Sequence, residues 1–361
     1  MRLLHVVGTR PNFVKMAPVI AALRRVDPDG HHVLVHTGQH YDRMMSGIFL
    51  EELGVPEPDH MLGVGSGSHA EILAGVLEAV APVIAAEDPE LVIVPGDVNS
   101  TLAAALACAH LRIPIAHVES GLRSFDRTMP EEVNRVLTDQ ISDILYIHSA
   151  EAEVNLEREG IDADRVRMVG NTMIDSLVAL EDRFRGRGAC AEHGLEPGSY
   201  LLVTLHRPAL VDGPLLDSTI EQLSAVAAQV PVLFPVHPRT RAALGRGEGD
   251  LPAGLRLIDP VGYLDFLSLE ADARAVLTDS GGIQEETTFL GVRCFTLREN
   301  TERPVTIESG TNQLLGLDPA RIAEIPDLIA AAPAAPAEPP PMWDGHAADR
   351  IAADVADELS R

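Results

Sequence analysis

Lysine is almost missing from this chain. Lys15 is the only one in 361 residues, and every other permanent cation is arginine. A bias toward arginine accounts for most of this, but the surviving lysine sits beside Arg10, where a compact phosphate-binding ammonium would be useful. Cations are also few, 28 against 54 acidic residues, for a formal net charge of −26. So acidic a surface repels phosphate backbones and argues against a nucleic-acid partner. It repels a nucleotide substrate as well, so any nucleotide site has to be locally basic. Cys108, Cys190 and Cys294 are the only cysteines. They are far apart, form no metal-ligand or redox spacing, and suit a reduced compartment. Aromatic residues make up 4%, which leaves Ala, Val, Leu and Ile to fill the interior. No apolar run is expected to reach membrane-spanning length, and the first residues turn polar too soon for a signal peptide. The expectation is a soluble, cytoplasmic protein. No strand leads into a dinucleotide fingerprint. Gly63–Ser68 has the wrong spacing and reads as a flexible connection. Histidines are scattered, so neither a metal nor a cofactor is expected.

What is present is an alternation of apolar runs and helical patterns. With 46% apolar residues, the length suits two domains, each with a full core. Strands are expected at 2–7, 32–36, 91–94, 114–118, 144–148 and 166–169, then at 200–204, 231–235, 255–258, 274–278 and 293–297. Helices are expected between them, at 70–86, 99–111, 130–141, 215–228 and 282–290 among others. This order predicts an α/β fold with parallel sheets covered on both faces. The first domain is placed at 1–170 and the second at 171–343, with a connecting helix after 170. Residues 331–342 are Ala/Pro-rich and suit an extended linker. The amphipathic closing segment, 344–361, is expected to return to the first domain.

In open parallel sheets, ligands sit at the carboxyl ends of the strands. The first strand runs into Gly8-Thr9-Arg10-Pro11-Asn12-Phe13-Val14-Lys15, which places two cations at one strand end. The third leads into Gly96-Asp97-Val98-Asn99, where Asp97 is either a helix cap or free for chemistry. His117-Val118-Glu119-Ser120-Gly121 and Pro130-Glu131-Glu132 follow. First-turn glutamates are often mere helix-dipole partners, a reading that fits Glu132 better than Glu119. In the second half, His206-Arg207 and His237-Pro238-Arg239 follow successive strands. The stretch Thr278-Asp279-Ser280-Gly281-Gly282-Ile283-Gln284-Glu285-Glu286 reads as strand, glycine turn and helix start. Its hydroxyl and free helix amides suit an anion.

Together these motifs resemble the non-hydrolysing UDP-N-acetylglucosamine 2-epimerases, from Gly8 to about Gly316. Thr37-Gly38-Gln39-His40 and Thr301-Glu302-Arg303-Pro304 add to the match. The resemblance implies two Rossmann-like domains with an interdomain cleft, as in GT-B glycosyltransferases, assembled as a homodimer. It implies interconversion of UDP-N-acetylglucosamine and UDP-N-acetylmannosamine without NAD or metal. Asp97, Glu119, Glu131 and His206 are the implied catalytic residues. Arg10, Lys15, His206, Phe266, Ser280, Gly281, Gly282, Glu286 and Arg303 are the implied UDP-sugar contacts. Gln39, His40 and His237 are candidates for a second site or the cleft. In regulated members that loop reads Gln-His-x-Gln and binds a second substrate molecule. Here Asp42 stands in the last place, which weakens that expectation. Two competitors are a hydrolysing 2-epimerase, which has different residues at the first turn, and a GT-B glycosyltransferase, which does not need the first-domain carboxylates.

Overall fold

The computed structural model describes residues 1–38, 50–211, 213–244, 251–331 and 338–360. The chain divides into two compact units, Met1–Ala179 with Pro341–Arg361, and Leu180–Pro340. The division falls inside the helix Thr172–Arg185.

In the first unit, seven strands form one sheet: β1 (Arg2–Val7), β2 (His31–His36), β3 (His60–Met61), β4 (Leu91–Pro95), β5 (Ile115–Val118), β6 (Ile144–Ile147) and β7 (Val166–Met168). Their order is β3-β2-β1-β4-β5-β6-β7, and every pairing is parallel. The chain winds outward from β1, then crosses back and winds the other way from β4. A strand buried on both faces has to be apolar throughout, and all five residues of Leu-Val-Ile-Val-Pro in β4 are buried. Successive side chains alternate between faces. Leu3 and Val7 pack with Phe13 and Ile20 of the helix Arg10–Val26 and with Ile351 and Val355 of the closing helix Ala347–Leu359. Leu4 and Val6 pack on the opposite face with Ile72, Val76, Val80 and Ile84.

The second unit repeats the plan with β8 (Leu201–Thr204), β9 (Val232–Pro235), β10 (Leu255–Ile258), β11 (Ala275–Thr278), β12 (Arg293–Thr296) and β13 (Asn312–Leu314). The order is β10-β9-β8-β11-β12-β13, again all parallel. Leu201 and Val203 face one core layer, and Leu202 and Val276 face the other. In each sheet the strand order reverses once, between β1 and β4 and between β8 and β11. Those reversals are the switch points where such folds bind ligands.

The structure departs from the expectations in three places. Strands β3 and β13 have no counterpart in the hydrophobic pattern. One is two residues long and partly exposed, and the other reads Asn-Gln-Leu. The expectation about apolar runs also needs correction. The 19-residue helix His69–Glu87 is long and apolar enough to cross a membrane, with a mean hydropathy of 1.5 over its best window. Its alanines raise that value, while its bulky residues Ile72, Val76, Val80 and Ile84 recur on one face and bury against the sheet. Finally, the glycine-rich connection ends at a defined cap. The Ser68 hydroxyl accepts from the Glu71 amide at 3.3 Å, and the Ser68 amide donates back to the Glu71 carboxylate at 2.9 Å. The expected linker lies partly outside the described residues.

Candidate functional site

At the first switch point, Asn12 ties two strand ends together. Its side-chain oxygen accepts from the amides of Gly8 and Thr9, each at 3.1 Å, and its nitrogen donates to the Pro95 carbonyl at 3.4 Å. One turn further along the same helix, Lys15 is buried and forms an ion pair with Glu119 at the end of β5. The lone lysine therefore spends its charge inside the unit, whereas Arg10 is exposed. Glu119 has a backbone φ of +67°. That region is unusual for a side-chain-bearing residue and costs about 1–3 kcal/mol, so the surroundings have to enforce it. Gly96 at the end of β4 completes the pocket wall. Its φ is +64°, and a Cβ there would lie 3.2 Å from Lys15 Nζ and 3.4 Å from Glu119 Oε2. Glycine meets both demands without strain.

Behind this wall is His117, with its ring nitrogens 2.7 Å from the Gly96 carbonyl and 2.7 Å from Asp139 Oδ1. Asp139 is fully buried. Burial alone would raise its carboxyl, but the His117 hydrogen bond and the Arg123 guanidinium, 2.7 Å away, hold it below the usual carboxylate range.

Asp97 does not cap the following helix, Asn99–Leu111. Val98 takes the cap position without a side-chain bond. Instead, Asp97 Oδ2 accepts from Arg135 Nη2 at 2.6 Å and stays about a quarter exposed. Arg135 also donates to Glu132 at 2.6 Å. Glu132 is fully committed, because it accepts in addition from the Ser124 and Phe125 amides at 2.9 and 2.8 Å and from the Ser124 hydroxyl. Asn134 donates to the Asp97 carbonyl and to Asn99 Oδ1. Glu131, half-buried in the first turn of the helix Pro130–Ile141, has no such bond among the described residues. Of the two first-turn glutamates, Glu132 is structural and Glu131 is available for chemistry.

The second unit builds its switch point around Asp279. This fully buried carboxylate accepts from the His206 amide at 3.0 Å and the Arg207 amide at 2.8 Å. It also lies 2.7 Å from His206 Nδ1. Burial raises Asp279, but His206 outweighs it and the carboxyl is held low. The His206 ring is thereby oriented and remains largely exposed. Ser280 caps the helix Gly281–Leu290 in extended conformation with no side-chain cap bond. Its hydroxyl and the first helix amides, including that of Gly282, are the kind of donors that suit an anion at a helix N-terminus. A Cβ on Gly281 would come within 2.5 Å of Arg303 Nη1, so glycine admits that guanidinium to the helix start. Arg303 is buried, with Nε 3.0 Å from Glu285. Glu286 is buried too and accepts from the Tyr263 hydroxyl at 2.8 Å. Burial pushes its carboxyl up to about 7 against the lowering effect of that hydrogen bond. Phe266 is half-buried against the second core layer. His237 is exposed at the end of β9. Gln39 and His40 lie outside the described residues.

The sequence reading missed Arg135, Asp139 and Tyr263. Arg135 had a signal, since it lies three and four residues beyond Glu132 and Glu131 on one helix, where side chains meet. The other two are set by contacts between distant elements.

A family model described as UDP-N-acetylglucosamine 2-epimerase matches residues 23–356. The chain is 41% identical over 339 residues to a UDP-N-acetylglucosamine 2-epimerase of Methanocaldococcus jannaschii, covering 91% of this chain and 92% of that protein. It is 42% identical over 321 residues to a UDP-2,3-diacetamido-2,3-dideoxy-D-glucuronate 2-epimerase of Pseudomonas aeruginosa, covering 88% of each. Among solved structures, it is similar to a UDP-GlcNAc 2-epimerase from Neisseria meningitidis bound to UDP-GlcNAc. The TM-score is 0.90 and the identity 30%, over the full length of both chains.

Proposed function

The chain belongs to the UDP-N-acetylglucosamine 2-epimerase family, and on that premise we propose that it interconverts UDP-N-acetylglucosamine and UDP-N-acetylmannosamine by inversion at C2. The reaction proposed is elimination of UDP to a 2-acetamidoglucal, followed by re-addition with the opposite configuration. The C2 hydrogen is not next to a carbonyl, so removing it needs a leaving group on C1, and UDP is one. Taking a proton from one face and returning it to the other calls for more than one acid–base group. Asp97 and Glu119 at strand ends of the first unit, and Glu131 in the first turn of the helix Pro130–Ile141, are proposed for that work. The departing diphosphate needs fixed donors. Ser280, the amides of Gly281 and Gly282, Arg303 and His206 are proposed for it, with Arg10 and Lys15 as further cations and Phe266 and Glu286 toward the nucleoside. A homodimer is the proposed assembly and the cytoplasm the proposed location.

The observation that carries this reading is Glu119, held by Lys15 in a left-handed backbone conformation at a ligand-binding switch point. Asp88 and Arg112 share that conformation but are helix C-caps, whereas Glu119 stands directly after a strand, where such an outlier points to a functional role. The test is incubation with UDP-N-acetylglucosamine in D₂O, followed by NMR. UDP-N-acetylmannosamine with deuterium at C2 and little free sugar is the expected result. Stoichiometric free N-acetylmannosamine would mean hydrolysis, and no exchange at all would sink the reading for this substrate.

A second sugar has support, because the diacetamido-glucuronate epimerase is as similar to this chain as the first relative is. The same assay with UDP-2,3-diacetamido-2,3-dideoxy-D-glucuronate decides between the two by kcat/KM.

A further inference from the structure

Beside Glu119, within the first unit, lies a cavity of about 10 Å³ whose lining includes Lys15, Tyr146, His148 and Asn171. That is room for about one water molecule. His148 follows directly after β6 and is buried. One of its ring nitrogens is within 4.8 Å of a Glu119 carboxylate oxygen. The ring is fixed from another side by Trp343, which packs edge-on at a centroid distance of 5.8 Å and donates its indole N–H to the His148 carbonyl at 3.0 Å. Trp343 comes from the segment that leads the chain back into this unit. The structure thus holds an imidazole next to a carboxylate that is already paired with an ammonium.

The titratable groups of this unit that line the cavity are Lys15, Glu119, Tyr146 and His148. Tyr146 donates its hydroxyl to Asp354 at 2.9 Å, and burial pushes it far above neutral pH. Lys15 places its ammonium against the Glu119 carboxylate. An acid–base group has to gain and lose a proton within each turnover, and a fixed cation opposes half of that cycle. Histidine is the side chain whose charge ordinarily changes between pH 5 and 8.

We propose that His148 is a positioning residue for Glu119, which orients its carboxylate together with Lys15 and sets the pH at which it exchanges a proton. The inference rests on the epimerase reading above and adds to it a residue that the strand-end motifs do not include.

The test compares kcat against pH for wild type, His148→Phe and His148→Gln, with UDP affinity and thermal midpoint measured alongside. Both variants are expected to bind UDP within about twofold of wild type and to lose about tenfold in kcat, less than the ~10²–10⁴ that an acid–base group itself supplies. The limb of the profile that reports Glu119 should move by about one pH unit. Trp343→Phe, which loosens the ring without removing it, should move the same limb less. It keeps the test decisive if the His148 variants do not fold. Folded variants whose limbs coincide with the wild-type profile would overturn the inference, whatever their kcat. A wild-type protein that exchanges no deuterium would instead defeat the epimerase reading, and this inference with it.

Discussion

The two units share one winding order but treat their acidic residues in opposite ways. At and beside the strand ends of the first, four carboxylates meet cations: Glu119 meets Lys15, Asp97 and Glu132 share Arg135, and Asp139 meets Arg123. The second unit does this for Glu285 and Glu302, and sets Asp279 against the His206 ring. It also buries Glu270 and Glu286: burial raises both carboxyls, Glu286 raises Glu270 further, and Glu285 raises Glu286, which accepts from Tyr263. Among the described residues, Glu270 has no hydrogen-bond partner for either oxygen. A pair of like acids in an apolar setting stays partly protonated, whereas a carboxylate beside a guanidinium stays charged. The first unit thus sets its strand-end carboxylates against cations, whereas the second also holds two acids that burial raises.

The largest effect is expected from removing a base in the first unit. Asp97→Asn should lower kcat by about 10²–10⁴ while leaving UDP affinity largely intact. Arg135 keeps Glu132 as its partner, so the fold should survive. If isothermal titration shows that UDP binding collapses instead, Asp97 is a nucleotide or structural residue and the division of labour fails.

The next effect concerns stability. Lys15→Met removes the ammonium beside the buried Glu119 carboxylate and should cost about 3–5 kcal/mol, as breaking a buried ion pair does. Urea unfolding of Lys15→Met/Glu119→Gln should recover much of that loss, because both members of the pair are then neutral. A single variant as stable as wild type would show that the pair contributes nothing to the first unit.

A smaller effect should separate the halves by pH. In the first unit, burial lowers His5 to about 3 and His36 to about 4. Below the ordinary histidine range the unfolded chain binds the extra protons, so this unit loses stability as pH falls from about 6.5. Asp175, raised by burial to about 6, acts in the opposite sense below that value. In the second unit, Glu286 is raised from 4.5 to about 7, so the folded state binds the extra proton and stability falls as pH rises through that window. Trp343 is the only tryptophan and belongs to the first unit, so its fluorescence reports that half alone. Raising the pH from about 5 to 8 should move the fluorescence midpoint up relative to the far-UV circular dichroism midpoint, by on the order of 1–3 kcal/mol in stability. Movement of both midpoints together would end the comparison.

The sheets were legible because parallel strands buried on both faces are written as unbroken apolar runs, Leu91–Val94 among them. Asp97 and Glu119 were legible because the polar residue after such a run has to stand at a strand end. The pairing of Lys15 with Glu119 was not, since a helix and a strand distant in sequence bring them together. Nor was the Asp279 clamp on His206, which depends on β8 and β11 being neighbours across the switch point. Strands β3 and β13 are held by pairing with adjacent strands rather than by their own hydrophobicity, so no local pattern marks them.

The smallest effect tests the second unit's half of the comparison. The Tyr263 hydroxyl donates to Glu286 and lowers a carboxyl that burial and Glu285 raise. Tyr263→Phe removes that donor and leaves the cation–carboxylate pairs of the first unit untouched. Glu286 should then titrate higher still. A charged carboxylate is the better acceptor for the ribose hydroxyls proposed as its ligand, so wild-type affinity for UDP should rise with pH through about 7. In the variant that rise should come at higher pH, with affinity near neutrality weaker by about 1 kcal/mol, roughly fivefold. Asp97→Asn should show the wild-type pH dependence of binding. If Tyr263→Phe does so too, Glu286 does not meet the ribose, and the raised acids of the second unit serve its core instead.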